Sequence, residues 1–513
     1  MDKKLLKTEF IKNSDLMQIT VEGEIIISDT QPDIKEIISE SIKPVITFRN
    51  VTDGRISFKG TLTSCIVYIS KDSDNPVSAV LNVTNFEDIM NIDGLEKDDC
   101  INIRAYDDHF EFRKINERKV SVKAVITIEV REYKSCQCVS LSPDALNDGT
   151  QLLIGEKTVR NHVSQDKTDF DIHETYSIPS PKHEVEEILT QFYTLSDIDT
   201  RAMRGGYRIT GNLNVDLLYT TNDGTLADTA HFQVPFEHTV DNDDITEDMH
   251  AISRIDVSNV KAGAFEDSSG ENRIIDIDAV FNEVTDVFED EKITYVKDAY
   301  CVNSAYETET EKIIMPVFTG RNKARFNLKG TAGGNTGADI MQVIGAEGNV
   351  SVDSVYPQNG SVAVEGVADI TVLYIARDDA RPVYSMKAYI PFHQEMDMAG
   401  VSEGDLITAD VRVEGVAFNI MNSSEVEVTV NLSCDAEALK LDEIEVVSDI
   451  KKDENADSAV LPAAVIYTVQ NGETLWDISK KYGAVKEDIL SINNMEKEED
   501  LKDKKKILIM RRV

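Results

Sequence analysis

Apolar and polar positions alternate along most of the first 450 residues, and they do so in three rounds. Leu62, Ser64, Ile66 and Tyr68 occupy one side of an alternating run, and Leu213, Val215, Leu217 and Tyr219 repeat it, as do Ala368, Ile370, Val372 and Tyr374. A later run behaves likewise: Val120, Val122, Ala124, Ile126 and Ile128; Ile275, Ile277, Ala279 and Phe281; Val426, Val428, Val430 and Leu432. Period two with polar neighbours such as Asp276 and Asp278 predicts strands with one face buried and one wet. The spacing is fixed as well. Gly54-x5-Gly60-x7-Tyr68 recurs as Gly205-x5-Gly211-x7-Tyr219 and Gly360-x5-Gly366-x7-Tyr374, at separations of 151 and 155 residues. Ile37-Ile38, Ile188-Leu189 and Val343-Ile344 precede these sets, and Phe86, Phe236 and Phe392 follow them. Each round therefore predicts a mainly antiparallel β domain. Its glycines should mark turns or bulges, and its tyrosines should fill core positions with the hydroxyl near the rim.

A period near 150 is domain-sized, beyond the roughly 20–50 residues of solenoid repeats. The expectation is three tandem domains, each able to fold alone, at residues 1–145, 146–305 and 306–440. Ser142-Pro143-Asp144 and the glycine-rich run from Gly330 to Gly337 are expected as flexible points. Residues 441–462 read as an acidic linker: from Asp442 onward they hold seven acids and two lysines, with little patterning after Val447.

At residues 463–513 the period changes. Tyr467-Thr468-Val469-Gln470 alternates like a short strand, Asn471-Gly472 signals a turn, and Thr474 stands three residues ahead of Asp477, the spacing of a capping box. Leu475, Ile478 and Tyr482 share a helical face, Gly483 can end that helix, and Ile489 with Ile492 marks a second. Ile507-Leu508-Ile509 closes the unit as a strand. This βααβ order, with the words YTVQNGETLWDISKKYG and Asn493-Asn494 after the second helix, closely resembles a LysM domain. The resemblance implies binding of N-acetylglucosamine in peptidoglycan or chitin through the strand–helix loops. Three features depart from it. Val485 stands where a hydroxyl residue is common before the second helix, Glu496 to Asp500 extend the loop before the last strand, and Lys504 replaces the customary turn glycine. Trp476 lies about 100° round the helix from Leu475. Two readings are open for it: closing the small core, or serving as a partly exposed aromatic anchor for a partner.

Charge and chemistry narrow the field. Net charge is −40, from 93 acidic against 53 basic residues, which disfavours nucleic acid and anionic membrane because phosphate neutralisation needs clustered Lys and Arg. The C-terminal unit alone is near neutral. Six cysteines are too sparse for a secreted disulfide scaffold, and Cys136-x-Cys138 lacks a second pair for zinc. With neither a signal-peptide pattern at the start nor a membrane-length apolar run, a cytosolic address is expected. His183-Glu184-Val185-Glu186-Glu187 has Glu187 where a zinc protease needs its second histidine, the glycine run lacks a phosphate-binding lysine, and there is no nucleophile elbow. No enzyme, cofactor or metal is expected.

Three β repeats, a tether and one terminal LysM resemble the SipL family of spore-coat morphogenetic proteins, in which three SPOCS domains precede a LysM domain. The resemblance is carried by the triple Gly-x5-Gly-x7-Tyr arrangement together with residues 467–494. It implies a mother-cell cytosolic protein at the forespore surface that binds the coat-basement ATPase SpoIVA through its LysM domain and helps coat encase the spore. The contact is expected at Ile466, Tyr467, Trp476 and Asp477, where apolar area meets a polar rim. Alternatives are a peptidoglycan-binding LysM protein with the repeats as spacers, and a phage-tail-like assembly protein.

Overall fold

The computed structural model describes residues 2–11, 15–71, 77–144, 149–221, 228–302, 306–333, 339–376, 381, 383–452 and 463–510. The chain is mainly β, three tandem antiparallel repeats followed by a small βααβ unit. The first repeat holds β1 (Lys3–Ile11), β2 (Asp15–Ile26), β3 (Ile34–Thr52), β4 (Arg55–Ser70), β5 (Val77–Asn91), β6 (Cys100–Asn116) and β7 (Lys119–Leu141). The second holds β8 (Thr150–Ser177), β9 (Glu187–Met203), β10 (Gly206–Thr220), β11 (Asp228–Asp241), β12 (His250–Glu266) and β13 (Asn272–Cys301). The third holds β14 (Tyr306–Gly333), β15 (Ile340–Gln358), β16 (Ser361–Ala376), β17 (Val383–Asp397), β18 (Leu406–Asn422) and β19 (Glu425–Lys452).

Each repeat is two packed sheets. One is a meander, β3-β4-β5, β9-β10-β11 or β15-β16-β17. The other centres on the last long strand: β7 between β1/β2 and β6, β13 between β8 and β12, β19 between β14 and β18. Alternation puts the apolar side of every strand between the sheets, as at Leu213, Val215, Ile275 and Ile277 of the second repeat, all fully buried. Tyr68, Tyr219 and Tyr374 are fully buried too, and the first two donate to the carbonyls of Pro32 (2.9 Å) and His183 (3.2 Å).

The repeated glycines have two separate jobs. Gly54, Gly205 and Gly360 sit in the turn before the central strand at φ of 76°, 82° and 84°, a region that side chains rarely adopt. Gly60, Gly211 and Gly366 lie mid-strand beside bulges, directly opposite Phe86, Phe236 and Phe392. A Cβ on any of them would come within 2.3–2.9 Å of that ring. The phenylalanine therefore packs over bare backbone, which is why both residues recur in fixed register.

The three repeats are not independent beads. Val67, Leu218 and Leu373, each the residue before the repeat tyrosine, meet in one cluster with Ile38 and Ile344, and Leu189 packs against it. Equivalent residues from three domains can meet only around a common quasi-threefold axis. Further along the axis the long strands run past their sandwiches as three two-stranded ribbons, which bury Cys138 and Ile293 with the half-buried Ile444 in one cluster, and Leu141, Val296 and Val447 in another. Polar bonds tie the ribbons together: Thr8 donates to the Ile314 carbonyl at 2.6 Å, Lys3 pairs with Asp449 at 3.0 Å, and Lys157 pairs with Asp442. The buried Arg160 grips Asp290 (2.7 and 2.8 Å) and Glu437 (2.9 Å) and lies 3.5 Å over the Phe318 ring. The outer faces of the meanders, with parts of β6, β12 and β18, line an open cavity of about 1900 Å³, in which equivalent sets such as Thr63, Asn214 and Asp369 recur.

Two sequence expectations are corrected here. The acidic linker does not begin at 441, because β19 continues to Lys452 and pairs there with Tyr306; only residues 453–462 of it lie outside the described residues. Glu443, Glu445 and Lys451 are exposed on that ribbon, while Val446 and Val447 are buried. Gly330 to Gly333 are likewise the end of β14, paired with Val428 to Glu425, and the remainder of that glycine run is outside the described residues. Ser142-Pro143-Asp144 does leave the strand, as a turn after β7.

Candidate binding site

The C-terminal unit folds as β20 (Ala464–Thr468), α1 (Leu475–Tyr482), α2 (Lys486–Ile492), a 3-10 turn (Glu498–Asp503) and β21 (Lys506–Met510), with β20 and β21 antiparallel. Thr474 and Asp477 form the expected capping box: the Asp477 N–H donates to the threonine hydroxyl at 3.1 Å, and the carboxylate accepts the Thr474 N–H at 3.1 Å. These bonds to the cap hold the Asp477 carboxyl below the usual carboxylate range. Gly483 ends α1 in the left-handed conformation, φ 56°. Leu475, Ile478, Ala484, Ile489, Met495, Leu501, Ile507 and Ile509 form a core belonging to this unit alone. Asn493 locks the second helix to the last strand, donating to the Ile489 and Leu508 carbonyls and accepting from the Leu508 N–H at 2.7 Å.

The sequence placed Ile466, Tyr467, Trp476 and Asp477 on one exposed edge, and the structure divides them. Ile466 is 73% exposed, opposite Leu508 on the outer face of the two-stranded sheet, whose Met510 is 45% exposed. Tyr467 is half-buried against Tyr482 and donates to Glu473 at 2.6 Å. Asp477 is exposed and committed to the helix cap. Trp476 is buried at 6% exposure, and neither sequence reading describes it fully. It does not join the unit's own core and is not an exposed anchor; it packs edge-on against Tyr300 of β13, centroids 4.9 Å apart, with Val302, Leu153 and Val485 around it.

Polar groups fix this contact. The Trp476 indole N–H donates to Asp298 Oδ2 at 2.8 Å, and the Lys480 ammonium meets both oxygens of Asp298 at 2.7 and 2.8 Å. The Tyr300 hydroxyl donates to the Ala484 carbonyl at 2.8 Å, and burial pushes its phenol up to about 12, so it remains a donor. Val485 is now explained. As the N-cap of α2 it makes no side-chain hydrogen bond, and its apolar side chain faces Tyr300 and Trp476. The missing hydroxyl is the cost of a dry contact. The charged run from Glu496 forms the 3-10 turn, with Asp500 accepting from the Glu496 N–H at 2.9 Å, and Lys504 follows the turn with extended backbone.

Sequence reasoning missed Leu153, Asp298, Tyr300 and Val302. The signal was present in the repeat. Beyond the equivalent Val296 and Val447, the second ribbon continues through Asp298 to Tyr300, and the third through Asp449 to Lys451. Opposite stand Leu153 and Glu309. The third ribbon thus closes with a Lys451–Glu309 ion pair where the second is apolar.

Among the described residues, no group of three or more His, Cys, Asp or Glu side chains is placed to hold a metal ion, and no helix is long and apolar enough to cross a membrane. Cys138 is buried in the ribbon bundle, with Cys136 packed against the same cluster. A SipL, SPOCS domain model matches residues 33–115, 184–264 and 339–421, and a LysM domain model matches residues 467–507. Each SPOCS match covers a meander and the strand after it, and each leaves out most of the ribbon-forming strands. Neither the curated proteins nor the solved structures compared with the chain gave a match. Both modules are non-catalytic binding domains. Three SPOCS domains followed by one LysM domain place the chain in the SipL family.

Proposed function

We propose that this protein is a non-enzymatic adaptor of the spore coat, working in the mother-cell cytosol at the forespore surface. Its LysM domain binds the coat-basement ATPase SpoIVA, and the SPOCS body carries that attachment into the growing coat, promoting its localisation and encasement. The observation that carries this reading is the combination of three SPOCS domains with a terminal LysM domain. The state of the LysM surface supports it: Val485, at a position where the glycan-binding pattern favours a hydroxyl, is turned to protein contact. With Trp476 covered, the contact surface centres on Ile466, with Met510 beside it and Tyr467 and Asp477 at the rim. Partner contact on such a surface comes from one apolar anchor inside a polar rim.

The test is capture of SpoIVA from sporulating cells by the full chain and by Ile466→Asp. Capture by the wild type and at least tenfold loss in the variant, with Trp476 emission unchanged, is the expected result. Equal capture by both removes the surface assignment, and absence of SpoIVA from the wild-type eluate removes the partner. LysM domains generally bind glycan, so peptidoglycan recognition is the second reading. A titration with chitin oligomers separates the two, because only the glycan reading gives saturable binding.

A further inference from the structure

The LysM domain rests on the second SPOCS domain through one apolar cluster and a few hydrogen bonds, and three observations define that seat. First, the second and third ribbons differ at matching described positions: Leu153 and Tyr300, with Val302 beyond them, make an apolar tip on the second, while the third carries Glu309 and Lys451 as an ion pair. Second, both sides are built for each other. Trp476 and Val485 on one side and Leu153, Tyr300 and Val302 on the other exclude water, and Asp298 takes three hydrogen bonds from Trp476 and Lys480. Third, the LysM core and cap are made without the seat: its eight buried core residues and both capping-box residues lie wholly within residues 465–509.

We infer that the tip of the second ribbon is a dedicated LysM receptor that also accepts the LysM domain of a second copy, joining copies of this chain to one another. The chain joins LysM to the body only through residues 453–462, so the contact seen within one copy is a tethered bimolecular contact. Tethers of this length give effective concentrations on the order of 1 mM, so a seat occupied in cis has an intrinsic dissociation constant below about 1 mM. Copies gathered on a common surface reach comparable local concentrations, and the same surfaces then meet in trans. Receptor and LysM are different patches, so the link is head-to-tail and can extend from copy to copy. The inference stands whether or not the partner of the outer LysM face is SpoIVA.

The chain's one tryptophan makes the test direct. Asp298→Lys disables the receptor of one full-length copy by facing Lys480 with a like charge and removing the indole acceptor, while leaving its LysM domain intact. Trp476→Ala disables the LysM domain of another copy, leaves its receptor intact and makes that copy free of tryptophan. Asp298→Lys alone should show red-shifted Trp476 emission. Adding the Trp476→Ala copy should return the emission to the wild-type maximum, with half-saturation below ~1 mM, and a two-chain species should sediment at the same concentrations. Emission that stays red-shifted throughout the titration overturns the inference, as does an Asp298→Lys copy whose emission matches the wild type. Should Asp298→Lys fail to fold, Tyr300→Ala serves as the receptor-disabled copy with the same two outcomes.

Discussion

The SPOCS body and the LysM domain are stabilised in opposite ways. In the body, residues from three repeats meet in shared clusters, so Val67, Leu218 and Leu373 are buried only because all three domains are present. In the LysM domain, 8 buried residues from fewer than 50 positions make a self-sufficient core, and the contact with the body is an addition. Shared cores make a body respond as one unit, while a private core lets a module leave and return without unfolding. An adaptor built this way has a rigid part that sets geometry and a detachable part that makes the attachment.

The sharpest way to break the contrast is at Arg160. Its guanidinium joins the second repeat to the third through Glu437 while holding Asp290 and covering Phe318, and it is 3% exposed. Removing one member of a buried ion network costs about 3–5 kcal/mol, because the remaining charges are left unpaired. Arg160→Ala should lower the body's unfolding midpoint as a single cooperative step and leave a separate LysM transition unmoved, measured by denaturant titration with far-ultraviolet circular dichroism. Two separate body transitions would mean that the repeats fold as the independent domains their sequence suggests.

Titration probes the same interfaces. Burial in the central cavity, beside Asp107 and Asp369 and countered by Ser41 and Lys43, raises Glu347 to about 7. Burial also works against a charged His162, but the hydrogen bonds its ring donates to the Asp286 and Glu9 carboxylates outweigh it and raise this group as well. A group with a raised folded pKa contributes fully below its unfolded value and loses that contribution as pH rises through the folded one. For Glu347 the window runs from about 4.5 to about 7, and for His162 it starts near 6.5 and extends upward. Asp286 and Asp410 are held low by Arg254 and by Arg412 with Arg104, against burial, so their contributions fade only in acid, below the usual carboxylate range. Between pH 5 and 8 the body should therefore lose stability, on the order of 1–3 kcal/mol, while the LysM domain stays nearly constant. Glu347→Gln should flatten most of the slope in thermal melts; an unchanged slope would exclude Glu347 as its source.

How much of this was legible in sequence depends on which physical signal a residue carries. The Gly-x5-Gly-x7-Tyr register was readable because a positive φ and a ring packed on bare backbone admit few residue types. The capping box at Thr474 and Asp477 was readable for the same reason. The ribbons were hidden, since a two-stranded arm shows one side to solvent, and Asp442 and Asp449 look like tether until Lys157 and Lys3 are found across from them. The seat for Trp476 was hidden in a different way. Its members are far apart in the chain, and only a comparison of the second ribbon with the third exposes the apolar tip. Val485 was noticed as a departure, but its reason lay on another domain.

At the seat, Tyr300→Ala removes the edge-on ring and the bond to Ala484, a truncation of about 1–3 kcal/mol in a contact of this kind. The expected outcome is red-shifted Trp476 emission with no change in the LysM domain's own melting temperature. Emission that remains blue would place Trp476 in the domain's core after all.

Thr474→Ala is the complementary change and the smallest. It deletes the hydroxyl that accepts the Asp477 N–H at the start of α1, at an exposed residue outside the cluster that joins Trp476 to Tyr300. Loss of such a cap costs about 1 kcal/mol, and the LysM transition should fall by that amount while the docked emission of Trp476 is preserved at temperatures below it. The two variants thus separate two quantities that an interdependent domain would have to move together. If Thr474→Ala also released Trp476 at low temperature, the first helix would need its cap in order to dock, and the LysM domain would be coupled to the body much as the repeats are coupled to each other.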